Sequence, residues 1–145
     1  MEVVCHTLEE TEKEAVRFVR TQRACAGGAT LITLSGELGA GKTAFTRAAA
    51  LALGVQEQIT SPTFVLEKIY ALPEEKEFSQ LVHIDAYRLE SGAALGALGF
   101  DEIMHNSQNI ILLEWPERVI SALPLPSVSI SIEILPDESR KITYV

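Results

Sequence analysis

Apolar residues recur at helical spacing near the start of the chain. Leu8, Ala15, Val16 and Val19 share one face, and charged residues cover the other. Thr7 followed by Glu10 reads as the capping box that opens such a helix, and Thr11 with Glu14 repeats the pattern one turn later. This helix is predicted to run to about Gln22, with Gly27-Gly28 ending the connection. Thr30 to Ser35 is a short β-prone run and predicts a buried strand. A glycine-rich turn follows, Gly36 to Gly41. Lys42 to Leu53 is rich in alanine and leucine, with Arg47 its one interior charge, and predicts a buried helix stopped by Gly54.

Residues 56–63 read as a loop, with Ser61 held extended by Pro62. Phe64–Tyr70 and Leu81–Asp85 read as strands joined across an exposed tip at Pro73–Glu77. Residues 90–104 are small and apolar and predict one helix, although each interior glycine costs about 1 kcal/mol against alanine. Asn109–Glu114 is a second buried strand, and Glu117–Leu123 a short helix before Pro124. Val128–Leu135 and Arg140–Val145 alternate as a terminal hairpin. Strands alternating with helices predict an α/β fold, and the hairpins make part of its sheet antiparallel.

The chain has 145 residues, which bounds it to a single domain over 1–145. No uncharged apolar run reaches the roughly 18 residues that a membrane span needs. The first residues carry neither a basic region nor an apolar stretch of signal length, so a cytoplasmic protein is expected. Twelve Lys and Arg against 20 Asp and Glu give a net charge of −8. A protein gripping nucleic acid alone needs a basic patch, so in an RNA pathway a partner would hold the RNA. Cys5 and Cys25 form no CxxC pair and read as reduced thiols. His6 and His105 show no ligand spacing for zinc.

Gly36-Glu37-Leu38-Gly39-Ala40-Gly41-Lys42-Thr43 matches G-x4-G-K-[ST] in full, between a predicted strand and a predicted helix. That context completes the phosphate-binding loop and predicts a P-loop NTPase-like three-layer sandwich with a mixed sheet and β-hairpins. The glycines let successive N–H groups turn toward an anion, and the helix that follows adds the positive end of its dipole. Lys42 can span the β- and γ-phosphates of a nucleotide, and the Thr43 hydroxyl can bind Mg²⁺.

Such a loop needs an acid near the metal, after an apolar strand beside the loop's own. Ile110-Ile111-Leu112-Leu113-Glu114 is the more apolar candidate, and Leu81-Val82-His83-Ile84-Asp85 the other. Glu114 is assigned to Mg²⁺, directly or through water, and Asp85 to the γ-phosphate, where it would orient the attacking water or hold a metal-bound one. The reverse assignment stays open. Thr63, in Ser61-Pro62-Thr63, stands where nucleotide switches place a hydroxyl that senses the γ-phosphate. Arg88 suits charge stabilisation at the phosphoryl group and a surface ion pair equally. Trp115 reads as packing near the site, and His83 as a satisfied core histidine.

Taken together, these stretches resemble a known family, the bacterial TsaE (also called YjeE) ATPases of tRNA threonylcarbamoyladenosine synthesis. The likeness rests on the phosphate loop, Ser61-Pro62-Thr63-Phe64, His83-Ile84-Asp85-Ala86-Tyr87-Arg88-Leu89, Leu98-Gly99-Phe100 and Leu113-Glu114-Trp115-Pro116-Glu117. It implies a small ATPase that works with TsaD and TsaB, with ATP and Mg²⁺ bound, and resets the TsaD–TsaB complex between turnovers while those partners handle the tRNA. Residue by residue, it implies that Glu37, Leu38, Gly39, Ala40, Gly41, Lys42 and Thr43 hold the phosphates. Thr43 and Glu114 would bind the metal, Asp85 and Thr63 would lie beside the γ-phosphate, and Thr11 near the adenine.

Three rival readings stand beside it. A small-molecule kinase closes an arginine-bearing lid over the phosphates, and between Ala44 and Glu117 the only cations are Arg47, Lys68, Lys76 and Arg88. A nucleotide-sensing module with negligible hydrolysis would carry the same loop. A GTPase would need N-K-x-D and D-x-x-G, which the sequence lacks.

Overall fold

The computed structural model describes residues 1–59 and 66–145. Strand β1 (Glu2–Cys5) leads into helix α1 (Leu8–Arg20). Thr7 caps α1, its hydroxyl accepting from the Glu10 N–H at 3.1 Å. The Glu10 carboxylate reaches back to the His6 N–H at 2.5 Å, so the box closes one residue earlier than the usual pattern. At the other end the Thr21 hydroxyl donates to the Phe18 carbonyl at 2.6 Å, just beyond the last helical residue.

Strand β2 (Thr30–Gly36) runs into the glycine-rich loop, and helix α2 (Lys42–Leu53) follows it. Gly54 ends α2 with φ of 104°, a left-handed conformation that favours glycine. The hairpin β3 (Glu67–Ala71) and β4 (Gln80–Asp85) comes next, then α3 (Ala93–Gly96) and α4 (Phe100–Met104). Strand β5 (Asn109–Glu114) precedes two 3₁₀ turns, and the hairpin β6 (Val128–Ile134) and β7 (Arg140–Tyr144) completes the fold.

Seven strands make one mixed sheet in the order β1-β7-β6-β2-β5-β4-β3. β2 is parallel to both β5 and β6, and β4 is parallel to β5; the two hairpins and the β1–β7 pair are antiparallel. All six residues of β5 are buried, which explains its unbroken apolar run: the strand is covered on both faces. Ile110 and Leu112 pack with Phe18, Phe45 and Ala49 beneath α1 and α2. Ile111 and Leu113 pack with Leu95, Phe100 and Val119 on the opposite face. The layers are therefore α1 and α2, the sheet, and a thin cover of short turns.

Three sequence expectations need correction. The helix predicted over residues 90–104 is two single turns, broken where Gly99 takes a φ of 74°. The helix predicted at Glu117–Leu123 is two 3₁₀ turns, Pro116–Arg118 and Ile120–Ala122. β1 was not expected at all; four residues carry too short an alternation to read, and pairing with β7 supplies what propensity does not. Among the described residues no helix is long and apolar enough to cross a membrane.

Candidate functional site

The parallel strands bring their C-terminal ends to one edge of the sheet. Leu34 of β2 pairs with Glu114 of β5, and Glu114 pairs with Asp85 of β4. Side chains at paired positions share a face, so both carboxylates lie on the side covered by α2. Glu114 is on the strand directly beside β2, and Asp85 is one strand further out. Open α/β sheets bind ligands beyond such carboxyl ends.

Gly41 is the N-cap of α2, with φ of 110° and no side-chain cap, and no acid stands in the first turn. The first bond of the helix is Phe45 N–H to the Gly41 carbonyl. The N–H groups of Lys42, Thr43 and Ala44 thus have no acceptor within α2, and the positive end of its dipole is unneutralised. An anion seated there satisfies both.

Lys42 is buried, 5% exposed. Its ammonium donates to the carbonyls of Gly36 and of Glu37, the latter at 3.0 Å, and lies 4.2 Å from the centre of the Trp115 ring. Burial lowers its pKa; Glu114, Glu117 and Asp85 oppose that shift and favour the charge. Trp115 holds its place through an unusual backbone, with φ of 61°, and its ring packs 4.9 Å from that of Tyr87.

Asp85 accepts the Tyr87 N–H at 3.0 Å. Burial pushes its pKa up; that N–H pulls it down, and the nearby Glu114 raises it further. Glu114 is 5% exposed, and its Oε2 lies 2.6 Å from His83 Nε2. His83 is a buried residue as expected, but among the described residues it is not a fully satisfied one, because its Nδ1 has no hydrogen-bond partner there.

A cleft of about 550 Å³ gathers Leu38, Gly39, Gly41, Lys42, Thr43, Asp85, Arg88, Glu114 and Trp115. Glu37 is exposed and Ala40 buried in the loop at its edge. Thr11 lies apart from this group. It lines a smaller cavity of about 230 Å³ with Cys5, Thr7 and Arg140, which meets the larger cleft at Leu8, Gly39 and Gly41. Thr63 falls outside the described residues.

Arg140 joins the site from outside every sequence motif. From the start of β7 it donates to the Ala40 carbonyl at 3.0 Å and the Gly39 carbonyl at 3.3 Å, bracing the loop from the far end of the chain. No local motif marks it.

The donors suit magnesium. Thr43 and Glu114 offer hard oxygens, and Glu114 Oε1 has no hydrogen-bond partner among the described residues. No group of three or more His, Cys, Asp or Glu residues able to hold a metal occurs among those residues. Mg²⁺ needs none, since it takes one or two protein ligands and completes its shell with waters and phosphate oxygens.

A family model for "Threonylcarbamoyl adenosine biosynthesis protein TsaE" matches residues 5–142. The chain is 41% identical over 114 residues to the tRNA threonylcarbamoyladenosine biosynthesis protein TsaE of Treponema pallidum (strain Nichols), covering 79% of this chain and 80% of that protein. It is 36% identical over 135 residues to the TsaE protein of Bacillus subtilis (strain 168), covering 91% and 79%. Among solved structures it is similar to the crystal structure of Bacillus subtilis YdiB, with a TM-score of 0.76 and 31% identity over 99% of this chain and 83% of that one.

Proposed function

The chain belongs to the TsaE family of tRNA threonylcarbamoyladenosine biosynthesis proteins, and on that premise we propose that it binds ATP with Mg²⁺ and hydrolyses it to reset a TsaD–TsaB complex in the cytoplasm. The observation that carries the reading is the start of α2: uncapped N–H groups and a buried lysine converge beneath a glycine loop, facing two carboxylates. Few arrangements other than a bound polyphosphate satisfy those donors together.

Glu37 to Thr43 wrap the phosphates with backbone N–H groups. Lys42 exchanges the Gly36 and Glu37 carbonyls for β- and γ-phosphate oxygens. Thr43 and Glu114 would hold magnesium, which supplies charge neutralisation across those oxygens. Asp85 orients the attacking water and accepts its proton, a role helped by the upward push that burial gives its pKa. Arg140 keeps the loop in shape, and Thr11 lines the cavity beside it that is open to the rest of the nucleotide. The net charge of −8 leaves tRNA contact to the partners.

Reconstitution with TsaD, TsaB and tRNA tests the proposal. Multiple-turnover modification is expected to require this chain and ATP hydrolysis. Modification that continues unchanged without the chain would overturn the resetting role. Phosphorylation of a metabolite by the chain alone would replace the reading with that of a kinase.

A further inference from the structure

The pair formed by His83 and Glu114 does more than fill space. The two residues sit on adjacent parallel strands, with His83 opposite Leu112 and Glu114 opposite Asp85. They are therefore diagonal neighbours on the face beneath α2, close enough for a direct bond. The 2.6 Å contact joins two side chains that are 5% and 7% exposed. Water does not compete for it.

The other imidazole nitrogen fixes the chemistry of the contact. Nδ1 is sealed from solvent and has no partner among the described residues. A proton there would be a buried donor with nothing to meet, and orphaned donors are rarer in folded proteins than under-satisfied acceptors. The proton therefore belongs on Nε2, directed at Oε2 of Glu114. One carboxylate oxygen is thereby occupied. Oε1, with no hydrogen-bond partner among the described residues, remains.

We propose that His83 is a positioning residue, whose imidazole donates its Nε2–H to Oε2 of Glu114 and so leaves Oε1 to meet magnesium or its water. The inference rests on the metal role given to Glu114 above. A carboxylate free to rotate would offer either oxygen at variable distance, whereas a site must hold its ligands within about 0.5 Å of the productive geometry. Hydrogen-bonding partners behind a metal ligand typically change metal affinity by about 10–100-fold.

The test measures ATP binding by calorimetry across a magnesium titration, for the full-length wild type and for His83→Leu and His83→Gln. His83→Leu is expected to need about 10–100-fold more magnesium for the same ATP affinity, with its affinity in EDTA unchanged. His83→Gln presents an amide donor at similar reach and is expected to restore most of the wild-type magnesium dependence. Nitrogen-15 NMR of the wild-type histidines is expected to show the His83 proton on Nε2, and reads the tautomer even where His83→Leu fails to fold. A wild-type magnesium dependence in His83→Leu, or a proton on Nδ1, would overturn the inference while leaving ATP binding intact. Wild-type protein whose ATP binding ignores magnesium would overturn the metal role itself, and this inference with it.

Discussion

Gly36 is the residue at which β2 becomes the phosphate loop, and replacing it with alanine is expected to damage both. Its φ of 152° lies where a side chain is strained, and an added Cβ would stand 2.6 Å from the Ile132 carbonyl oxygen and 3.3 Å from the Ala40 Cβ. The carbonyl belongs to β6, hydrogen-bonded to β2 in the sheet, so it has little room to retreat. Backbone strain costs about 1–3 kcal/mol, and overpacking adds about 1–3 kcal/mol. Gly39 offers the control, since its φ of 82° is also positive but nothing lies within 4 Å of its Cβ. Gly39→Ala should therefore show the strain alone. At roughly 3–4 °C per kcal/mol for a domain near this size, the two variants should melt several degrees apart, Gly36→Ala the lower. Differential scanning calorimetry of both variants and the wild type measures this. Equal melting temperatures for Gly36→Ala and Gly39→Ala would refute the steric argument, and wild-type stability in Gly36→Ala would refute the strain argument too.

Other predictions follow from the site and its surroundings. Lys42→Ala should lose ATP binding by calorimetry, while Glu114→Ala should keep its affinity in EDTA, need more magnesium than the wild type to strengthen it, and lose phosphate release; normal hydrolysis in Glu114→Ala, with magnesium binding lost in Asp85→Ala, would reverse their roles. Trp115 is the only tryptophan and lies 4.2 Å from the Lys42 ammonium, so its emission should change as ATP draws that lysine away, and should not change in Lys42→Ala. Glu14 is held below the ordinary carboxylate range chiefly by Arg17, with burial opposing and the Tyr144 hydroxyl assisting. Its contribution to stability is therefore present above the unfolded pKa, near 4.5, and is lost as pH falls through the lower folded value. The stability gap between wild type and Glu14→Gln in urea titrations should accordingly close below about pH 4.5.

What could be read from the sequence was local. The phosphate loop, its strand and its helix are one continuous stretch, and the glycine that ends α2 stands beside the residues it stops. Glu114 was placed beside the loop strand because its run is wholly apolar, the mark of a strand covered on both faces. The bond between His83 and Glu114 was not legible, since it depends on the register of two strands 31 positions apart. Arg140 was hidden for the same reason, its contact with Ala40 spanning 100 positions. Residues 90–104 misled because their composition suits a helix, whereas a left-handed Gly99 divides it.

The thin layer over Ile111 and Leu113 has a dynamic corollary. Helices of four and five residues and two 3₁₀ turns hold few internal bonds, so subglobal opening should begin there. Amide deuteration should then overtake residues 93–104 and 116–122 well before β2 or β5. Trp115 is the seam between the two regimes. Its N–H is fastened to the Leu34 carbonyl at 3.2 Å, while its own carbonyl accepts from Arg118 in the first 3₁₀ turn. Glu114, the carboxylate proposed to meet magnesium, stands on the slow side of that seam, and a partner that quietens the fast side would be registered one residue away from it.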